Sequence, residues 1–122
     1  MNNEDQKAKA EALLQNAIGF LQNAILRGDQ QAGEILQALQ DLDQEQEIIK
    51  VKVATINSLP RHTHAENVNF YLVTIPAMDR LIEIQNEKQC IALEVAGSNY
   101  KIVASLLKQI KRRKIKQNFL NN

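Results

Sequence analysis

The sequence contains few of the residues that usually mark a specialised class of protein. It has no Trp and only three Phe and two Tyr in 122 residues, so a core must be built from aliphatic side chains. Its one cysteine, Cys90, excludes a disulfide within the chain and is typical of a reducing compartment. The four glycines are too dispersed to form a loop that cradles phosphate groups.

Long apolar runs are also missing. The longest is only a few residues, whereas a membrane helix needs about 20 apolar residues. Residues 1–5 are acidic and polar, whereas a secretory signal would be basic and then apolar. We therefore expect a cytoplasmic protein with no membrane segment.

The residues that are present suit one globular domain over residues 1–122, with 44% apolar side chains. The net charge of +1 conceals a steep gradient. Residues 1–47 carry nine acids and three bases, residues 48–100 carry five of each, and residues 101–116 carry seven bases and no acid. This separation of charge is the most informative feature of the composition.

Apolar spacing predicts a helical hairpin over residues 1–47. The first helix, residues 4–27, has two apolar stripes that together cover roughly 160°, wider than the arc that one neighbouring helix requires. Gly28 and Asp29 are typical of one helix end followed by the next helix start. The second helix is predicted over residues 30–46, and so short a connection makes the pair antiparallel.

Residues 48–56 have two interpretations. The apolar spacing of the second helix continues through them, which would extend that helix towards Leu59 and leave a smaller three-stranded sheet. Against this, six of these nine residues are β-branched, and Lys50 and Lys52 alternate with apolar neighbours as in a strand. We favour a strand.

The following residues predict a loop and an antiparallel meander. Residues 58–67 are the loop, and strands are predicted over 69–75, 81–85 and 90–95. Both hairpins of this meander place the same apolar side chains on one face of the sheet: Tyr71, Val73, Ile75, Ile82, Ile84, Ile91, Leu93 and Val95.

A last helix is predicted over residues 99–117, with its basic end projecting beyond Ile110. The expected fold class is therefore α+β: a helical hairpin over 1–47, an antiparallel sheet of three or four strands over 48–96, and a basic C-terminal helix over 97–122.

The basic end of that last helix is a candidate binding site for nucleic acid or an acidic partner. Cations at a helix C-terminus are also favoured by the helix dipole alone, and no aromatic side chain interleaves them for base stacking. The residues concerned are Lys108, Lys111, Arg112, Arg113, Lys114 and Lys116.

Evidence for catalysis or a bound metal is weak in this sequence. His62 and His64 have a spacing that suits metal ligation on a strand, but they fall in a predicted loop, so they are weak candidates. Cys90 would lie near carboxylates, which oppose thiolate formation. We expect neither an enzyme nor a cofactor.

Apolar surface in excess of a minimal core favours a protein interface. The candidate residues lie on the first helix and at the fringe of the sheet's polar face: Leu13, Ala17, Phe20, Ala24, Phe70, Leu72 and Leu81. We therefore expect a small non-catalytic binding protein that acts as a homo-oligomer or on a protein partner. The alternative is a nucleic-acid-binding accessory protein that uses the basic helix.

Overall fold

A computed structural model describes residues 3–97, 103 and 105–110 of the chain. Three α-helices account for most of them: α1 (Asn3–Leu26), α2 (Gln30–Asn57) and α3 (His64–Ala96). Residues 103 and 105–110 are also helical. Within these described ranges there is no β-strand, so this part of the protein is all-α.

The contacts divide the chain into two compact units. Unit 1 comprises Met1–Leu39 and Lys88–Asn122, and unit 2 comprises Gln40–Glu87. Helices α2 and α3 each contribute residues to both units. Unit 2 is a hairpin of the second part of α2 and the first part of α3, joined by residues 58–63.

The connection between α1 and α2 is determined by two residues. Gly28 has φ of 88°, the left-handed conformation that favours glycine. The Gly28 amide donates to the Ile25 carbonyl and the Asp29 amide donates to the Ala24 carbonyl, the two hydrogen bonds of a Schellman motif. Asp29 Oδ1 then accepts a hydrogen bond from the Ala32 amide and caps α2. The predicted helix end and helix start are confirmed.

The buried side chains of unit 1 follow a helical repeat of three and four residues. On α1 this repeat is Ala17, Leu21 and Ala24, and on α2 it is Ala32, Ile35 and Leu39. Residues of α3 and Val103 complete the buried set of this unit: Ile91, Ala92, Val95 and Val103. Such spacing places one stripe of each helix in an aliphatic core, as expected for a sequence with few aromatic residues.

In unit 2 the same repeat continues with fewer buried side chains. The buried residues are Leu42 and Ile56 on α2, and Thr74, Ala77 and Ile84 on α3. The Thr74 hydroxyl donates to the Phe70 carbonyl one turn earlier, so its polar atom is satisfied within the helix. Few large side chains are fully covered here, and apolar groups remain on the surface.

The predicted α+β fold is wrong. Residues 48–56 continue α2 to Asn57, so the helical interpretation was the correct one for that segment. The three predicted strands, 69–75, 81–85 and 90–95, lie within the single helix α3, and the sheet predicted over 48–96 does not form. Burial explains the change, because buried positions recur at three and four residues and not at two.

Pro76 contributed to this error. The residues between the first two predicted strands, 76–80, are helical, with Pro76 inside α3. Proline in a helix interior leaves the carbonyl four residues earlier without its helical donor and costs about 3 kcal/mol. Burial of Ala77 and Ile84 just beyond it favours continuation of the helix.

The predicted C-terminal helix, residues 99–117, falls only partly on described residues. Residues 103 and 105–110 are helical as predicted, and Val103 is fully buried. The remainder of that prediction lies outside the described residues. The prediction that residues 1–122 form one domain stays a prediction.

Candidate interaction surface

Helix α3 carries a second apolar stripe, which the fold of unit 2 leaves exposed. We call it the α3 stripe. It comprises Val68, Tyr71, Leu72, Ile75, Met78 and Ile82, which are 42–70% exposed. Its positions 68, 71, 75, 78 and 82 repeat at three and four residues, with Leu72 beside them. At 100° per residue this line lies about 125° around α3 from the buried line through Thr74, Ala77 and Ile84.

The helix that bears the α3 stripe is also uncharged over twelve consecutive residues, 67–78. A helix exposed to water normally presents charged side chains on its outer face, and a helix that is apolar on most sides is normally buried. Large contiguous apolar patches on soluble proteins mark interaction sites. The α3 stripe therefore has the character of an interface.

A capping box holds the start of α3. The Glu66 amide donates to Thr63 Oγ1 (3.1 Å), and Glu66 Oε1 accepts from the Thr63 amide (2.9 Å) and the His62 amide (3.2 Å). These hydrogen bonds satisfy amides that the first turn of a helix leaves without partners. The capping box thus fixes where α3 begins.

Arg61 packs against the same end of the stripe. Its guanidinium carbon lies 3.7 Å from the centre of the Phe70 ring and 5.5 Å from that of Tyr71. Arg61 Nε donates to Asn67 Oδ1 (3.2 Å), and Nη2 lies 3.4 Å from the Tyr71 hydroxyl. The Phe70 and Tyr71 rings meet edge to face. A cation therefore lies at the N-terminal end of the α3 stripe.

A cavity of about 220 Å³ lies beside this cluster, with Ile56, Leu59, Arg61 and Phe70 among its lining. Pockets that hold small organic ligands usually measure roughly 300–1,000 Å³ and bury most of the ligand surface. This cavity is smaller than that range. It does not favour a small-molecule site.

A cluster of charges joins the two helices of unit 2. Arg80 binds the Glu45 carboxylate with two parallel hydrogen bonds, of 2.6 and 2.9 Å, and also contacts Glu83 (3.2 Å) and Glu87 (3.4 Å). The hydrogen bond with Glu45 raises the pKa of Arg80 above its ordinary value, against partial burial, which lowers it. A permanently charged guanidinium here pairs α2 with α3.

The apolar residues predicted for an interface divide into exposed and covered groups. Leu72 is exposed and Phe20 is 39% exposed, while Leu13, Phe70 and Leu81 are partly covered. Ala17 and Ala24 are buried in the core of unit 1. The interface assignment itself stays a prediction for all seven residues.

The predicted basic site is described only at its first residue. Lys108 is helical and exposed. Lys111, Arg112, Arg113, Lys114 and Lys116 lie outside the described residues. Binding of nucleic acid or of an acidic partner at these residues stays a prediction.

The weak candidates for metal or thiol chemistry are all exposed. His62 precedes α3 and His64 is its first residue, so the strand geometry that would align the two imidazoles does not arise. Cys90 is a free, exposed thiol on α3. In the described part of the chain no three His, Cys, Asp or Glu side chains come together as a metal site would require.

Among the described helices, none has a stretch that is both long enough and apolar enough to cross a lipid bilayer.

Sequence reasoning missed most of the α3 stripe. The sequence predicts Tyr71, Ile75 and Ile82 on the core face of a sheet, and it predicts no surface for Val68 and Met78. The signal that identifies them is a pair of interleaved helical repeats on one segment, 70-74-77-81-84 and 68-71-75-78-82. Arg80 was also missed, because nothing local relates it to Glu45, 35 residues away.

Comparison of this chain with models of known protein families, with curated proteins and with solved structures gave no match.

Proposed function

We propose that this protein is a small, non-catalytic binding protein that acts through protein–protein surfaces and forms a homo-oligomer. The observation that carries the proposal is the exposure of the α3 stripe on a helix that is uncharged over residues 67–78. Leaving such a surface in water is unfavourable by about 25 cal/mol per Å² of apolar area, and association removes that cost.

The chemistry of the surface also favours a protein as the partner. Nucleic acids are recognised through cations that neutralise phosphates, and the twelve residues 67–78 offer none. Small ligands need an enclosing pocket, and the cavity beside Arg61 is small. An apolar, heptad-like helix face is instead the type of surface that pairs with another helix.

We place this activity in the cytoplasm. The single thiol, Cys90, is compatible with a reducing compartment, and the chain has no second cysteine with which to form a disulfide. Immunofluorescence of the tagged protein, with fractionation of the source cells, tests the location. Recovery in an extracellular fraction would contradict it.

Sedimentation equilibrium of the full chain, from micromolar to near-millimolar concentration, tests the homo-oligomer. The expected result is a mass that is a multiple of 13.8 kDa and rises with concentration. A mass of one chain at every concentration would contradict self-association.

The basic residues between 101 and 116 support a second candidate function, a nucleic-acid-binding accessory protein. Seven bases without an acid in that range favour phosphate contacts. Fluorescence anisotropy with labelled duplex DNA and RNA tests it. Binding that weakens steeply with salt and disappears when Lys111, Arg112, Arg113 and Lys114 are replaced by Gln supports it.

A matched control replaces Lys50 and Lys52 on α2 by Gln, and binding should then persist. Absence of binding to the unmodified chain even at low salt would contradict the second candidate.

A further inference from the structure

We infer that the α3 stripe binds the α3 stripe of a second copy of this chain, with the two helices antiparallel. The inference rests on the proposed function, and it names the surface, the occupant and the register. Its basis is the spacing, the area and the charge of the residues described above.

The spacing of the stripe matches that of a coiled-coil seam. Positions 68, 75 and 82 correspond to one core position of a heptad, and positions 71 and 78 to the other. All five are apolar, and Leu72 widens the face on one side. A second helix with the same repeat can insert its side chains between those of the α3 stripe. The α3 helix of another copy of this chain has that repeat, because its sequence is identical.

The area of the stripe is sufficient for a dimer. At their observed exposures the six side chains present on the order of 600 Å² of apolar surface, the upper end of what a monomer usually exposes as one patch. Two facing stripes present about 1,200 Å² between them, which is the lower limit for specific protein interfaces. A symmetric dimer of these helices approaches the size requirement with the stripe, and flanking contacts add to the buried area.

Charge favours the antiparallel arrangement. The N-terminal end of the stripe carries the Arg61 guanidinium, held against Phe70 and Tyr71, and the C-terminal end carries the exposed carboxylate of Asp79. Parallel helices would bring two Arg61 side chains to one level and two Asp79 side chains to another. Antiparallel helices place the Arg61 guanidinium of each copy at the level of the Asp79 carboxylate of the other.

Unlike heptad positions face each other in antiparallel pairs, and the level of the charges selects the register. The Arg61 guanidinium lies beside Asn67 and Phe70, and it reaches the level of Asp79 of the second copy when the two-fold axis passes near residue 73. Val68 then faces Met78 of the second copy, and Tyr71 faces Ile75. Each copy contributes the same set of residues, so the contact closes on itself as a two-fold dimer and does not propagate.

The first arm of the experiment uses sedimentation equilibrium on the full chain and on charged variants. Ile75→Glu and Met78→Glu place a carboxylate in the seam, and both side chains are exposed in the single chain, so its helix content should be unchanged by circular dichroism. The expected result is a dimer for the unmodified chain and a mass of one chain for each variant. Val51→Glu is the matched control: Val51 is 64% exposed on α2, outside the stripe, and the dimer should persist.

The second arm reports the register by disulfide formation in a Cys90→Ser background under a mild oxidant. One chain carries Tyr71→Cys and another carries Ile75→Cys. Antiparallel pairing predicts a disulfide between the two different chains in a mixture, and none between two chains that both carry Ile75→Cys.

The outcomes separate this inference from the proposed function. A dimer that survives Ile75→Glu and Met78→Glu overturns the inference and leaves self-association standing. Linkage of two Ile75→Cys chains, without linkage of the mixed pair, overturns the antiparallel register. A single-chain mass for the unmodified protein overturns both.

Discussion

Arg80 and Glu45 lie 35 residues apart and form a two-point ion pair between α3 and α2, with N–O distances of 2.6 and 2.9 Å. The Arg80 side chain is only 19% exposed, and two further carboxylates, Glu83 and Glu87, contact the same guanidinium. One cation thus holds three anions at the interface of two helices. Because the planar guanidinium fits a carboxylate at two points, this pair sets the register of α3 against α2 in unit 2.

Removal of that cation should destabilise unit 2. Arg80→Met removes the guanidinium that three carboxylates contact, and we expect a loss of about 2–3 kcal/mol in the free energy of unfolding. Arg80→Lys keeps the charge but not the two-point contact, and should lose about 1 kcal/mol. Urea unfolding followed by circular dichroism measures both. Equal stability of Arg80→Met and the unmodified chain would show that the ion pair contributes nothing.

Replacement of Pro76 should stabilise the protein. Pro76→Ala restores an amide that can donate to the Leu72 carbonyl in α3, and the expected gain is up to about 3 kcal/mol. Pro60→Ala is the control, because Pro60 lies in the loop, where the restored amide has no helical acceptor. Thermal unfolding measures both midpoints. A lower midpoint for Pro76→Ala would mean that a turn, and not a helix, is the native conformation there.

Two glycines offer a test of backbone conformation without a change in contacts. An added Cβ would meet no atom within 4 Å at either Gly28 or Gly19. Gly28 has φ of 88°, so Gly28→Ala should cost about 1 kcal/mol. Gly19 lies inside α1, so Gly19→Ala should gain roughly 0.5–1 kcal/mol. Opposite signs in urea unfolding are the expected result, and the same sign for both would contradict the left-handed helix end at Gly28.

Two threonines offer a similar comparison for the start of α3. Thr63→Ala removes the hydroxyl that accepts from the Glu66 amide, and should cost about 1 kcal/mol. Thr55→Ala removes a hydroxyl that donates to the Val51 carbonyl inside α2, and should change stability by a few tenths of a kcal/mol at most, because such hydroxyls compete with the helix backbone.

Amide hydrogen exchange at Glu66 and Asn67 locates the effect of these substitutions. Faster exchange there in Thr63→Ala, with no change in Thr55→Ala, is the expected pattern. Unchanged exchange in Thr63→Ala would contradict the capping box.

Local features of this chain were readable from its sequence. The helix end at Gly28 and the cap at Asp29 were predicted correctly, because both depend on the backbone preference and the hydrogen bonds of a few adjacent residues. The start of α2 at Gln30 follows from the same two residues. These features require no knowledge of what lies on the other side of the helix.

The sheet was predicted because two helical stripes overlap on one segment. Ile84 belongs to the buried line of α3, and Tyr71, Ile75 and Ile82 belong to its exposed stripe. Ile82 and Ile84 come from different lines, and the one polar residue between them, Glu83, produces the two-residue period of a strand. The β-branched residues of 48–56 also favour a strand. That preference contributes less free energy than the burial of Ile56 on a continuous helix.

The sequence by itself determined the charge gradient, the aliphatic composition of the core, and the Gly28–Asp29 helix boundary, because each is a property of composition or of neighbouring residues. Only the tertiary structure decided that residues 48–96 are helical, that Arg80 binds Glu45, and that the α3 stripe is left exposed. These features depend on which apolar face of each helix is buried. The free energy of burying a face comes from contacts between residues that are distant along the chain.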